Sequence, residues 1–450
     1  MSGEAAGLRL WPRIRAGYDQ WALLAGFTCL PLFAYFAAAN GLPSLMFLWG
    51  LLCLWHLRSF RGFLPVAACS ALMLLLGFLR SDFAVMVMHG SSPGDAYAAS
   101  TRYFQAPMIM WFTAWALVLA CRDLAQDQTP RVMAWLAWLV LGLSAVQLLE
   151  GVSHLGLRTF FNTVFHHGHR PEWLVVYASN TNAILSMLFW PLSLWFMRRR
   201  NFAAIIIMLL AIVLTAVVVD TNSQIMALAI GLAVFAATRC WPPLLARRGV
   251  SPERLMAVAS SLSILAFPAL IWWLMRSGLA MKIKTDLLPS WAQRIDIWTF
   301  AVTRSTEKPW FGWGYEASRA FDPAIPNHPH NLALQAWLEL GVPGLVVLAA
   351  LWFCIFWFMA PAGQADVTTD AGGLRDLSVP IAISADAAAQ LARPYFLAAA
   401  VAYFAVNMVS YGLWRAWYYS LGGLVVAVSL LALKAVRAEA RSDKAERPER

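Results

Sequence analysis

The stretch Phe202-Ala203-Ala204-Ile205-Ile206-Ile207-Met208-Leu209-Leu210-Ala211-Ile212-Val213-Leu214-Thr215-Ala216-Val217-Val218-Val219 carries no charged side chain, and Asp220-Thr221-Asn222-Ser223 follows it. At about 1.5 Å per helical residue such a run nearly spans the roughly 30 Å hydrocarbon layer of a bilayer. The four polar residues leave room only for a tight turn before the next apolar run, 224–239. The pair therefore reads as two membrane-crossing helices joined by a hairpin turn.

Working outward, similar runs recur from end to end. Twelve spans are expected, at about 21–38, 43–57, 62–79, 105–121, 131–150, 173–197, 202–219, 224–239, 254–276, 332–359, 394–411 and 416–433. Composition agrees: 60% of the 450 residues are hydrophobic, 13% are charged, and mean hydropathy is +0.61. A soluble domain carries about 25% charged residues. The expected fold is an all-α polytopic membrane protein forming one membrane domain over residues 1–450. A soluble enzyme, a secreted disulfide module, a disordered scaffold and an outer-membrane barrel are excluded, the last because its strands alternate in segments of about 10 residues.

The net charge of +10 is explained by topology rather than by nucleic acid. Most Lys and Arg residues fall on one side if the amino terminus is cytoplasmic, including Arg9, Arg13, Arg15, Arg198, Arg199, Arg200, Arg247, Arg248 and the tail from Lys434. Both termini are then expected in the cytoplasm, with an even number of spans. No cleavable signal peptide is expected, since the first apolar run reads as the first span. Cys29, Cys53, Cys69, Cys121, Cys240 and Cys354 lie in or at the ends of apolar runs, and read as apolar packers.

One segment breaks the charge trend. Residues 277–331, between the ninth and tenth spans, form the longest loop on the external face. They carry Lys282, Lys284, Arg294, Arg304, Lys308 and Arg319 just after Arg276. Trp291, Ile295, Trp298 and Val302 recur there at helical spacing, which predicts an amphipathic helix on the membrane surface. Residues 360–393 read as a flexible cytoplasmic linker and 437–450 as a disordered cytoplasmic tail.

The chemistry-bearing stretch is His328-Pro329-His330-Asn331, followed by Gly341 and Gly344. Pro329 fits a first helical turn that Asn327 or His328 can cap. His330 then lies at the amino end of the tenth span. There the helix dipole keeps the imidazole neutral, and free backbone N–H groups favour an anion. Without further context such a histidine reads as a capping or interfacial residue.

The spacing His330-Asn331, nine residues, Gly341, two residues, Gly344 resembles the signature of the O-antigen ligase and O-antigen polymerase superfamily of bacterial inner-membrane glycosyltransferases. Arg294, Trp298, Pro309, Gly312 and Gly314 resemble that family's Arg–Trp–Pro–Gly-x-Gly segment. The resemblance implies a GT-C-like fold and metal-independent, inverting transfer of a glycan from undecaprenyl pyrophosphate at the periplasmic face of the inner membrane. The implied acceptor is a sugar hydroxyl of lipid A–core in a ligase, or a second lipid-linked glycan in an O-antigen or exopolysaccharide polymerase. It assigns His330 as general base and Arg294 as a pyrophosphate contact; Arg319, a basic residue of the same loop outside the matched motif, is expected as a second donor contact.

Relatives carry arginines where this chain has Thr181 and Ser223-Gln224, so Arg319, Lys282, Lys284 or Arg415 is expected to compensate. His328, Asn331, Arg415 and Gln224 are candidate substrate contacts, Arg415 reading equally as an aromatic-belt anchor. No metal or cofactor is expected. His328-x-His330 and His166-His167-Gly168-His169 are the only zinc-like pattern, and no carboxylate or cysteine joins them at ligand spacing. Glu339, costly in a span unless paired, can bond a neighbouring helix or orient a catalytic group, and the structural role is the expected one. The competing class is a polysaccharide or lipid-linked glycan transporter, but carriers place ionisable groups near the bilayer midplane and this chain has almost none there.

Overall fold

The computed structural model describes residues 3–58, 63–80, 93–165, 170–242, 245, 248–326, 328–360 and 387–445. Among these residues every regular element is a helix. In chain order they are α1 (Gly3–Leu52), α2 (Leu64–Leu79), α3 (Pro93–Asp123), α4 (Thr129–Val152), α5 (Gly156–Val164), α6 (Pro171–Arg198), α7 (Phe202–Val218), α8 (Asn222–Arg239), α9 (Pro252–Arg276), α10 (Leu279–Asp286), α11 (Pro289–Glu307), α12 (Leu332–Met359), α13 (Ala387–Val409) and α14 (Ala416–Ala445).

Among the described residues, six segments are long and apolar enough to cross a membrane: Gly17–Ala37, Thr129–Val152, Pro252–Arg276, Leu332–Met359, Ala387–Val409 and Ala416–Arg441. Gly41–Leu52, Leu64–Leu79 and Phe202–Val218 are shorter apolar helices. Helix α1 breaks at Ala37, whose backbone leaves the helical region (φ −145°, ψ 28°). Large apolar side chains such as Leu32, Trp138, Leu210 and Leu262 point outward. On a water-soluble protein such a surface would be a liability, whereas in a bilayer it meets acyl chains. This is a multi-pass membrane protein.

Local chemistry sets the helix ends. Proline occupies the first turn of α2, α4, α6, α9 and α11, where its missing N–H costs nothing. Asn201 and Ser251 cap α7 and α9, their side-chain oxygens accepting from the N–H groups of Ala204 (3.1 Å) and Arg254 (3.2 Å). Asn201→Ala is expected to cost about 1 kcal/mol, read as a small fall in the melting midpoint of the detergent-solubilised protein.

The helix ends fall into two sets. At one end, buried His56 sits between Asp19 (3.1 Å) and Asp123 (3.0 Å), tying the start of α1 to the end of α3. Arg393 of α13 pairs with buried Glu253 of α9. The Lys434 ammonium of α14 bonds the carbonyls of Arg122 (2.6 Å) and Leu124 at the carboxyl end of α3, where a cation also complements the helix dipole. The other end carries α5, α10, α11 and the α13–α14 turn.

Three expectations change. The amphipathic helix forms as α11, but Ile297, Trp298, Ala301 and Val302 bury against protein, α9 and α12, instead of lying on a lipid surface. Trp298 Nε1–H donates to the Pro329 carbonyl at 2.9 Å, tying the helix to the segment that leads into α12. Of the linker 360–393, residues 361–386 lie outside the described residues, and 387–393 are already the first turns of α13, held there by Arg393–Glu253. The tail is helical as far as Ala445, because its Ala, Glu, Arg and Lys residues favour helix and Arg199 pairs with Glu439 at 2.6 Å.

Candidate active site

The glycines of the motif make a joint between main chains. Helix α12 breaks at Gly341 (φ 70°, ψ −161°), which frees carbonyls on the turn before it. The loop 309–314 docks onto that break. Trp313 N–H donates to the Leu338 carbonyl (2.8 Å), Gly314 N–H to the Glu339 carbonyl (2.9 Å), and Val342 N–H to the Pro309 carbonyl (3.0 Å). A Cβ at Gly341 would lie 2.2 Å from the Trp310 carbonyl oxygen, and one at Gly312 would lie 2.5 Å from the Glu339 carbonyl carbon. Trp337 Nε1–H closes the joint by donating to the Pro309 carbonyl at 3.2 Å.

The joint fixes where α12 begins. Asn331 is its cap: Oδ1 accepts from Leu334 N–H at 2.8 Å, and Nδ2 donates to the Met408 carbonyl at 2.7 Å. The sequence reading placed Pro329 inside the helix, capped by Asn327 or His328. Asn327 lies outside the described residues, and Pro329 and His330 precede the cap because Asn331 has the side-chain oxygen in reach. His330 adopts a left-handed backbone (φ 52°), which turns its ring away from the helix.

His330 Nδ1 lies 2.8 Å from the Ser410 carbonyl. A carbonyl only accepts, so Nδ1 carries the proton and Nε2 keeps its lone pair. His330 N–H in turn donates to His328 Nδ1 at 3.1 Å, which gives His328 the opposite tautomer. Burial pushes the His330 pKa below its ordinary value, opposed by the Ser410 hydrogen bond and assisted by Arg294 and Arg415. His328 is driven well below the usual histidine range by burial first, then by His330 and the nearby arginines. Both imidazoles are neutral at pH 7.

These groups wall a polar cavity of about 470 Å³. His328 and His330 contribute one side, and Ser290, Trp291 and Arg294 of α11 another. Ser410, Tyr411 and Arg415 come from the α13–α14 turn and Trp417 from the start of α14; Asp220 and Thr221 come from the α7–α8 turn, Asn222 to Gln224 from the start of α8, and Ser179 and Asn180 from α6. The Arg294 guanidinium stacks 4.8 Å from the Trp291 ring and donates from Nη1 to the Ser290 carbonyl (3.0 Å). Its Nε is buried without a hydrogen-bond partner, and burial lowers its pKa. Arg415 is likewise lowered, by burial first and by Arg319 second.

The structure thus brings together His330, His328, Arg294, Arg415 and Gln224. It does not bring in Arg319, which pairs with Glu316 and is absent from the cavity wall. Asn331 spends its amide on capping and on Met408. Lys284 pairs with Asp296 at 2.7 Å, away from the wall. Asn180 and Gln224 line the cavity, while Thr181 is held by the guanidinium of buried Arg158 (2.9 Å). His166 to His169 lie outside the described residues, and among those described no group of three or more His, Cys, Asp or Glu could hold a metal.

Sequence reasoning missed the Ser410 carbonyl, Tyr411 and Trp417. A main-chain acceptor leaves no residue signature, and Ser410 and Tyr411 fell within the expected span 394–411.

The molecule is therefore a polytopic helical membrane protein with a polar, arginine- and histidine-lined site at one end of its bundle. Residues 172–349 match the family model described as O-antigen ligase. This segment holds the α11–α12 joint, both histidines, Arg294 and Gln224. A Rickettsia conorii protein described as "Putative polysaccharide ligase" is 24% identical over 229 residues, 48% of each chain. One of the same description from Rickettsia bellii is 22% identical over 302 residues, 62% of this chain and 65% of its own. The first of these matches spans about half the length of either protein.

Proposed function

We propose that the protein is an O-antigen ligase-like glycosyltransferase of the bacterial inner membrane, with the cavity on the periplasmic face. In this reading the chain forms a single twelve-span domain with both termini in the cytoplasm, and residues 277–331 are the periplasmic segment that builds the site. The observation that carries it is the His330 geometry: an imidazole locked with Nε2 unprotonated, in a cavity that also holds two guanidinium groups. A neutral proton acceptor beside fixed positive charge is what hydroxyl attack with an anionic leaving group requires.

The acceptor hydroxyl oxygen, from lipid A–core, bonds the anomeric carbon of the glycan as its proton passes to His330 Nε2. The bond from that carbon to phosphate oxygen breaks, and its electron pair leaves with undecaprenyl pyrophosphate. Arg294 and Arg415 bind the pyrophosphate oxygens; Arg415 takes the place that the sequence reading gave to Arg319. A single displacement inverts the anomeric centre, and the arginines supply the charge without a metal. His328 and Gln224 face the same space as substrate contacts, and Trp291 and Trp417 offer faces on which a sugar ring can stack.

Arg294→Gln is expected to raise the apparent KM for a pyrophosphate-linked donor about 10- to 100-fold, since one charge-assisted hydrogen bond is worth about 1.5–3 kcal/mol. Transfer assayed against donor concentration checks this. The reading as a whole is tested in a deletion strain by gel analysis of lipopolysaccharide and lipid-linked glycan. Loss of decorated lipid A–core with polymerised lipid-linked glycan retained supports the ligase. Arrest at one repeat unit would identify a polymerase with a lipid-linked acceptor. Absence of periplasmic glycan would favour a transporter.

A further inference from the structure

Asn331, Gln335 and Glu339 are spaced by four residues along the start of α12, so they share one helix face. Each grips the turn between α13 and α14. Asn331 bonds the Met408 carbonyl, Gln335 Oε1 accepts from Leu413 N–H at 2.7 Å, and Glu339 accepts from Trp414 Nε1–H. Glu339 is fully buried. Its Oε1 accepts from Ser318 Oγ (2.7 Å), Gln335 Nε2 (3.0 Å) and Ser318 N–H (3.4 Å), and its Oε2 from Glu316 N–H (3.1 Å) and Trp414. All of these donors are neutral. The turn so held carries the Ser410 carbonyl that bonds His330, and Arg415 in the cavity wall.

We propose that Glu339 is a positioning residue: through Gln335 and Trp414 it holds the 408–415 turn, and thereby sets the Nδ1–H tautomer of His330 and the place of Arg415. The catalytic consequence rests on the function proposed above; the tautomer is a property of the fold and does not. A carboxylate suits the role because it only accepts. In Glu339→Gln the amide NH2 meets N–H donors on either side, from Glu316 and Trp414 or from Ser318 and Gln335. Rotating the Gln335 amide to relieve this would release Leu413 N–H, so the turn shifts in either case.

The test uses the full chain with 15N-labelled histidine in lipid nanodiscs, the His330 signals being located by their loss in His330→Ala. Wild type is expected to show a protonated Nδ1 and an unprotonated Nε2. Glu339→Gln, and Trp414→Phe, which keeps a ring in place but removes the donor, are each expected to convert this to a mixture of tautomers. Glu339→Gln is also expected to lower kcat for glycan transfer about 100-fold, the scale of a catalytic group displaced by roughly 1 Å. If Glu339→Gln does not fold, Trp414→Phe decides. A single Nδ1–H tautomer retained in the folded variants overturns the proposal whatever the activity. Changed tautomers in a protein whose wild type transfers no glycan uphold it and remove the proposed function instead.

Discussion

His330→Ala, inserted in the membrane at wild-type level, is expected to lower glycan transfer roughly 10²–10⁴-fold, the usual contribution of a general base. The large effect follows from the absence of a substitute. His328, the other imidazole in the cavity, has its Nδ1 lone pair occupied by His330 N–H and is the more strongly disfavoured as a cation. Asp220 also lines the cavity, but across the α7–α8 turn and bonded to Asn222 at 3.2 Å. His330→Asn is the better-matched second variant, because asparagine tolerates the left-handed backbone at φ 52° that alanine resists. Equal losses in both variants would assign the effect to chemistry and not to backbone strain. The pH profile gives an independent reading. The base works only unprotonated, and folding lowers its pKa from the ordinary 6.5. Activity is therefore expected to persist as pH falls through 6.5 and to fail only below it. An acid limb above 6.5, or undiminished transfer by His330→Ala, would sink the assignment.

Gly341→Ala and Gly312→Ala are expected to destabilise the protein by about 3 kcal/mol or more each. A left-handed backbone costs a residue with a Cβ about 1–2 kcal/mol, and forced overlap adds about 1–3 kcal/mol. Both positions pay both costs, with φ of 70° and 66° and contacts of 2.2 and 2.5 Å against main-chain atoms that cannot rotate away. Gly142→Ala is the control, for a Cβ there meets nothing within 4 Å and alanine favours its helix. Thermal melts in detergent of the three variants separate the cases. A Gly341→Ala protein as stable as Gly142→Ala would show that the joint at 309–314 contributes little.

The helices were legible because an apolar run is a local property, and most of the expected spans coincide with helices. The break in α1 lies at Ala37, beside the expected boundary between the spans 21–38 and 43–57, whereas Gly341 reads equally as a helix-packing glycine until the loop that fills the break is seen. The site divides the same way. His330 and Arg294 stood out through the spacing of their neighbours, which are mainly the residues of the joint. Arg319 and Arg415 were interchangeable on sequence alone. What separates them is that Arg319 pairs with Glu316 outside the cavity wall, while Arg415 forms part of that wall. The α11 helix was visible from its period, but only packing decides whether such a face meets lipid or protein.

The ties at the end remote from the cavity bear on how material can pass through the bundle. Alternating access needs two halves that rock, parting the helices first at one mouth and then at the other. Here α1 and α3 are stitched through His56, α9 and α13 through Glu253 and Arg393, and α14 to the end of α3 through Lys434. Opening that end would strip buried carboxylates and an ammonium of their partners together. These ties fasten the end of the bundle opposite the polar cavity, so rocking of that kind would have to break all three.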